Sequence, residues 1–151
     1  MSQLNQDLRF MQFALDEAHI GHLEGGIPIG SVLVLDNKVI GRGHNRRMQN
    51  GNPVLHGEMD CLQNAGRLTA QEYKKCTLYT TLSPCDMCSG AILLYKIPRV
   101  VMAENTTFKG SEELLKSRGV DLINLNLRAA IQMMQEYIQK NPQVWNEDIG
   151  V

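Results

Sequence analysis

The feature that most narrows what this chain can fold into is the alternation of its segments. Helix-periodic stretches and short apolar runs succeed one another, with no repeat, low-complexity tract or Pro/Gly/Ser-rich linker between them. That pattern predicts strands layered between helices. From about Leu4 to Leu23, Leu8, Met11, Leu15 and Ala18 recur at i, i+3, i+7 and i+10, a helical stripe that Gly25 and Gly26 stop. Ile29 to Leu35 and Lys38 to His44 flank the two-residue link Asp36-Asn37 and read as a β-hairpin. His56 to Ala65 reads as a helix closed by Gly66, Cys76 to Thr81 as a strand, and Cys85 to Tyr95 as a helix with Pro84 before it. Arg99 to Ala103 is a strand, Glu112 to Ser117 a short helix, Val120 to Leu125 a strand and Leu127 to Gln139 a long helix. A helix between the last two strands allows a right-handed crossover, so those strands should run parallel. The expected fold is α/β: a three-layer α/β/α sandwich with a five-stranded mixed sheet, in one domain over residues 1–151. The tail after the long helix reads as irregular, with the chain's one Trp, Trp145, anchoring it.

Composition excludes several function classes. Fifteen Lys and Arg against 16 Asp and Glu leave a net charge of −1, whereas a chain that grips a polynucleotide normally carries a basic face. The one basic cluster, Arg42, Arg46 and Arg47, reads as a solvated loop or a subunit contact rather than a phosphate site. No apolar run approaches the roughly 20 residues that span a bilayer. The first residues lack the basic start and apolar core of a secretory signal, so a reducing cytoplasm is expected. There, the four cysteines point to metal or chemistry before disulfides.

Two motifs about thirty residues apart carry the chemistry: His56-Gly57-Glu58 and Pro84-Cys85-Asp86-Met87-Cys88. Cysteines at i and i+3 in the first turn of a helix project from one face, so both sulfurs reach one ion. The helix N-terminus favours their thiolate form. His56 supplies a third ligand, and three protein ligands with the fourth position left to water make a catalytic rather than a structural zinc site. Glu58 stands beside the ion, free to take a proton from the metal-activated water and return it to the substrate. Chance would place both motifs in this order, with Pro directly before the first Cys, well under about one time in a thousand. The pattern H-x-E…P-C-x-x-C is that of zinc deaminases, so the residues predict hydrolytic replacement of an exocyclic amine.

Other uses of these residues are weaker. A structural zinc site needs a fourth ligand, yet Cys76 opens a strand and Cys61 sits in an apolar helix, where small buried thiols are ordinary. A redox Cys-x-x-Cys pair leaves His56 and Glu58 unexplained. His19 and His22, three apart on the first helix, have no acidic or cysteine partner set and read as solvated.

Nearly the whole chain resembles the cytidine-deaminase-like superfamily, and within it the fungal-type cytosine deaminases. The resemblance runs through Glu24 to Gly30 (EGGIPIG), Gly41 to Asn45 (GRGHN), Leu55 to Glu58 (LHGE), Thr77 to Cys88 (TLYTTLSPCDMC) and Trp145 to Gly150 (WNEDIG). It implies a pocket for free cytosine. Asn45 and the Gly57 N–H would meet the ring's amide-like edge, and Glu58 the protonated ring nitrogen. Asp148 and the Ser83 carbonyl would accept from the exocyclic amine, between apolar walls of Ile27, Leu82, Phe108 and Trp145. Met48 stands where the fungal pattern has Phe, and its thioether can fill that space without ring stacking. The resemblance further implies one zinc ion per subunit, a homodimer, and a cytoplasmic role in pyrimidine salvage in a protein small enough to enter the nucleus. The rivals are a deaminase of guanine or of adenosine in transfer RNA, and a non-catalytic zinc-stabilised binding module. The acidic tail at Glu147 and Asp148 opposes a polynucleotide.

Overall fold

The computed structural model describes residues 1–151. Helix α1 (Gln3–Leu23) begins on Ser2, whose side chain accepts from the Asn5 N–H. A hairpin follows, β1 (Gly30–Leu35) and β2 (Lys38–His44). Its link has positive φ at both Asp36 and Asn37, the left-handed pair that a two-residue turn needs. Then come α2 (Arg47–Asn50), α3 (Gly57–Ala65), α4 (Ala70–Tyr73), β3 (Thr77–Thr80) and α5 (Asp86–Tyr95). The chain ends with β4 (Arg99–Met102), α6 (Glu112–Ser117), β5 (Asp121–Asn124), α7 (Arg128–Lys140) and α8 (Pro142–Asp148).

The five strands lie in the order β2-β1-β3-β4-β5. Strand β1 is antiparallel to both neighbours, while β3, β4 and β5 run parallel; the β4–β5 pairing is the one expected from the helix between those strands, and α5 makes the same crossover between β3 and β4. Period-two alternation sorts the strand residues between two cores. Val32, Val34, Tyr79 and Val101 pack with Phe10, Met11 and Ala14 of α1 and Ala130 of α7. Leu33, Leu78 and Val100 face the other way, onto Cys61 and Leu62 of α3, Ile92 of α5 and Leu115 of α6. The three expected layers are therefore present.

Close packing of α3 explains the Gly-Arg-Gly stretch of β2. A Cβ on Gly43 would stand 2.5 Å from the Cys61 backbone nitrogen, and one on Gly41 2.6 Å from the Ala65 Cβ. Two residues apart on a strand, both face the same helix, and only glycine lets the backbones meet.

The tail differs from expectation, being helix α8 with Pro142 at its first position. Proline there loses no hydrogen bond and has its φ preset. Trp145 of α8 packs with Ile27, Leu82, Met134 and Tyr137, folding the tail back over one end of the sheet. At that end lie the C-terminal ends of β2 and β3, since Gly30 pairs with His44 and Ser31 with Thr80. The N-termini of α3 and α5 open beside them.

Candidate active site

His56 is the N-cap of α3 and Cys85 the N-cap of α5, each with extended backbone. Both helices therefore aim their first turns at one point. A Cβ on Gly57 would stand 3.1 Å from the Ile29 carbonyl, so α3 begins tightly against the chain entering β1. The His56 Nδ1 lies 3.4 Å from Cys85 Sγ and 3.8 Å from Cys88 Sγ. Tetrahedral zinc, with bonds near 2.0–2.1 Å to nitrogen and 2.3 Å to sulfur, requires about 3.6 Å between such ligand atoms. The three atoms form the molecule's one group of this kind, within 4.8 Å of one another, and they fit zinc.

The free thiols are already unequal. A hydrogen bond from Cys88, working against burial and helped by one from His56, holds Cys85 down at about 4. Cys88, giving its hydrogen to Cys85, is pushed well up. Burial opposes protonation of His56, but bonds to Asp148 and Cys85 outweigh it and raise the imidazole to about 10.

The second nitrogen of His56 is oriented by the tail. Its Nε2 lies 3.3 Å from Asp148 Oδ1, which also accepts from Asn45 Nδ2 at 3.1 Å. A carboxylate on the far nitrogen of a ligating histidine fixes its tautomer and its ring plane. Asn45 is fully buried, and its Oδ1 accepts from the Arg47 N–H. Glu58, 4% exposed, lines one cavity with His56, Cys85 and Asp148. Burial, with the charge of Cys85 adding to it, raises its carboxyl to about 7. A bound cation would oppose that rise.

A small cavity adjoins these groups, lined by His56, Glu58, Leu82, Ser83, Cys85, Phe108, Trp145 and Asp148, and also by Ile29 and Ile149. Phe108 meets Trp145 edge to face, with ring centroids 5.9 Å apart. Four of the residues singled out from sequence stand just outside the lining. Cys88 is buried behind the metal group, Gly57 lies between His56 and Glu58, Asn45 is behind Asp148, and Ile27 packs beneath Leu82 and Trp145. Ile29 and Ile149 were not anticipated, although Ile29 sits in the EGGIPIG stretch and Ile149 in WNEDIG. Met48 does not fill the cavity. It lies on α2 with 47% of its surface exposed.

Cys61 and Cys76 are buried in the core, where burial raises both thiols, Cys76 to about 11. Among the basic cluster, Arg42 pairs with Glu17 at 2.8 Å and Arg46 with Asp60 at 2.9 Å. Both are committed within the fold. His19 and His22 are exposed.

Comparison with known proteins agrees with this geometry. The model of the cytidine and deoxycytidylate deaminase zinc-binding region matches residues 4–104, which include His56, Cys85 and Cys88. A cytosine deaminase of Candida albicans is 54% identical over 145 residues, covering 95% of this chain and 97% of that protein. A tRNA-specific adenosine deaminase of Streptococcus pyogenes is 41% identical over 113 residues, covering 74% and 71%. A solved guanine deaminase from Nitrosomonas europaea superposes with a TM-score of 0.69 at 21% identity, covering 85% of this chain and 82% of that one, a likeness of fold. With both halves of the metal group inside the matched region, and a relative more than half identical along nearly the full length, the chain belongs to the cytidine and deoxycytidylate deaminase family.

Proposed function

We propose that this protein hydrolyses free cytosine to uracil and ammonia. The observation that carries the reading is the lid: α8 and the Phe108 segment wall a small, mostly apolar cavity over His56, Glu58 and Cys85. Walls of Leu82, Phe108 and Trp145 suit a flat base, and the acidic Glu147 and Asp148 on the lid oppose a polynucleotide. The 54% identity to a cytosine deaminase supports the same substrate.

Each residue then has a task. His56, Cys85 and Cys88 hold zinc, which when bound polarises the attacking water. The Glu58 carboxylate takes that water's proton, gives it to the ring nitrogen next to the amine-bearing carbon, and later protonates the departing amine. Oxygen from water is added at that carbon; one of the water's hydrogens stays on the ring nitrogen, and the other, passed from the added hydroxyl through Glu58, completes the ammonia that leaves. Asp148 keeps one oxygen on His56 and Asn45 and turns the other to the exocyclic amine. The Ser83 carbonyl, which accepts no hydrogen bond from the protein, takes the same amine. Gly57 at the first turn of α3 has an N–H with no backbone partner, and Asn45 keeps a second hydrogen on Nδ2. These two donors serve the base's carbonyl edge. Leu82, Phe108 and Trp145 sandwich the ring and exclude water, with Ile27 supporting them from below.

The reading extends to a one-domain protein acting in cytoplasmic pyrimidine salvage as a homodimer. Support for pairing comes from exposed apolar side chains such as Leu94, 69% exposed, and Tyr95 on α5. All four cysteines are free thiols, in keeping with a reducing compartment, and no helix is long and apolar enough to cross a membrane. The test is ammonia release by zinc-loaded protein from cytosine, cytidine, guanine and adenine. Release is expected from cytosine foremost. No release from cytosine, or faster release from guanine, would refute the assignment.

A further inference from the structure

Glu112 is a carboxylate that the reaction above does not use, yet it is 2% exposed at the first position of α6. Its Oε2 accepts from the Ser83 hydroxyl at 2.6 Å and its Oε1 from Asn105 Nδ2 at 3.3 Å. The Ser83 oxygen in turn accepts from the Gly110 N–H at 2.9 Å, and the Ser83 N–H donates to the Glu104 carbonyl at 3.1 Å. Ser83 is therefore gripped at its amide and at both faculties of its hydroxyl by the segment from Glu104 to Glu112. Only its carbonyl stays free of protein partners.

That same segment carries Phe108, the wall that meets Trp145. It has no regular structure of its own between β4 and α6. At its start the buried Glu104 carboxylate accepts from the Thr106 and Thr107 N–H groups at 2.7 and 2.9 Å. At its end the Ser111 N–H bonds the Pro84 carbonyl at 3.2 Å, and a Cβ on Gly110 would stand 1.9 Å from that oxygen. Phe108 thus hangs between two anchors, and the second runs through Glu112 to the loop that also delivers Cys85.

We infer that Glu112 is a positioning residue for substrate binding: through the Ser83 hydroxyl it sets, in one link, the Ser83 carbonyl at the amine edge of the base and the Phe108 wall against its face. A buried carboxylate suits this place because it accepts from two donors at once, Ser83 and Asn105, with no hydrogen of its own to turn against either. The inference rests on the proposed placing of the base against Ser83 and Phe108.

The experiment compares zinc-loaded wild type with Glu112→Ala, Ser83→Ala, the double variant and Glu112→Gln, reading KM and kcat for cytosine, bound zinc and Trp145 emission. Losing a hydrogen bond to a charged group should raise KM about tenfold or more in Glu112→Ala, with kcat changed much less and zinc retained. Ser83→Ala breaks the same link and keeps the carbonyl, so the double variant should be no worse than the poorer single one. Glu112→Gln keeps its oxygen on Ser83 and gives up only the longer bond from Asn105, so it should recover part of the loss, even should Glu112→Ala fold poorly. An unchanged KM in Glu112→Ala, additive effects in the double variant, or no recovery in Glu112→Gln would overturn the inference. Were cytosine not turned over at all, the substrate reading would fall separately. Trp145, the sole Trp and in contact with Phe108, would still decide Glu112's role. Altered emission in both alanine variants supports the link, and unaltered emission overturns it.

Discussion

Replacing Asp148 by Asn removes one charge and keeps the shape, and the structure gives the size of the effect. In the wild type one oxygen, Oδ1, already takes two donors, His56 Nε2 at 3.3 Å and Asn45 Nδ2 at 3.1 Å. An amide must therefore leave its oxygen there, because turning its NH₂ toward two donors would leave both unpaired. The NH₂ then faces the cavity, where it meets the exocyclic amine of the base, donor against donor. The loss is one hydrogen bond to a charged acceptor, about 1.5–3 kcal/mol. At about 1.4 kcal/mol per decade this lowers kcat/KM roughly 10- to 150-fold. Zinc should be retained, since His56 keeps its acceptor. Steady-state ammonia release with metal analysis of the same preparation checks both halves. A kcat/KM within twofold of wild type would reduce Asp148 to a packing contact of the tail. Zinc loss would mean that its main task is holding His56.

Three further outcomes follow from the geometry. Asp7 is buried and bonded to both terminal nitrogens of Arg99, at 2.8 and 2.7 Å, and to the Tyr79 hydroxyl at 2.7 Å. Burial alone would raise its carboxyl, but the bonds to Arg99 and Tyr79 outweigh that and lower it. Asp7→Asn should cost about 3–5 kcal/mol in urea unfolding at neutral pH. A depressed carboxylate stabilises fully above the ordinary aspartate value near 4, so the gap from wild type should close as pH falls through the lowered folded value. Zinc uptake must strip protons from Cys88 and His56, both raised in the free site. Chelator competition should show affinity falling with decreasing pH, about tenfold per unit for each proton released. Gly110→Ala sets a Cβ against the Pro84 carbonyl, backbone against backbone, so its KM for cytosine should rise through displacement of Phe108, while bound zinc stays near one per chain.

What the sequence made legible follows the physics of each signal. Strand faces and long helices were readable because burial imposes periods of two and 3.6, and Val32 against Leu33 or Leu78 against Tyr79 divides as the period demands. The metal ligands were readable because three ligand types on two helix starts leave little freedom of spacing. Helix α8 was hidden because it is only seven residues long and one of its two buried positions is a charged residue, Asp148, which breaks the apolar stripe begun by Trp145. Asn141 followed by Pro142 was its one local sign. Helix α4 carried a readable sign in Thr69 and Glu72, which form a capping box. Glu112 gave none, since a Glu near a helix start is ordinary until the fold brings Ser83 beneath it. Asn45 was expected at the ring edge, and its bond to Asp148, 103 residues away, could come only from the folded chain.

Glu58 and the zinc that His56, Cys85 and Cys88 would hold act together in turning cytosine into uracil. Titrating zinc into metal-free wild type and Glu58→Ala while recording uracil formation separates their parts. Wild-type activity should rise linearly and saturate at one zinc per chain. Glu58→Ala should take up the same one equivalent yet turn over at least about a hundredfold more slowly. Activity in the metal-free protein, or near wild-type turnover by zinc-loaded Glu58→Ala, would contradict that joint action.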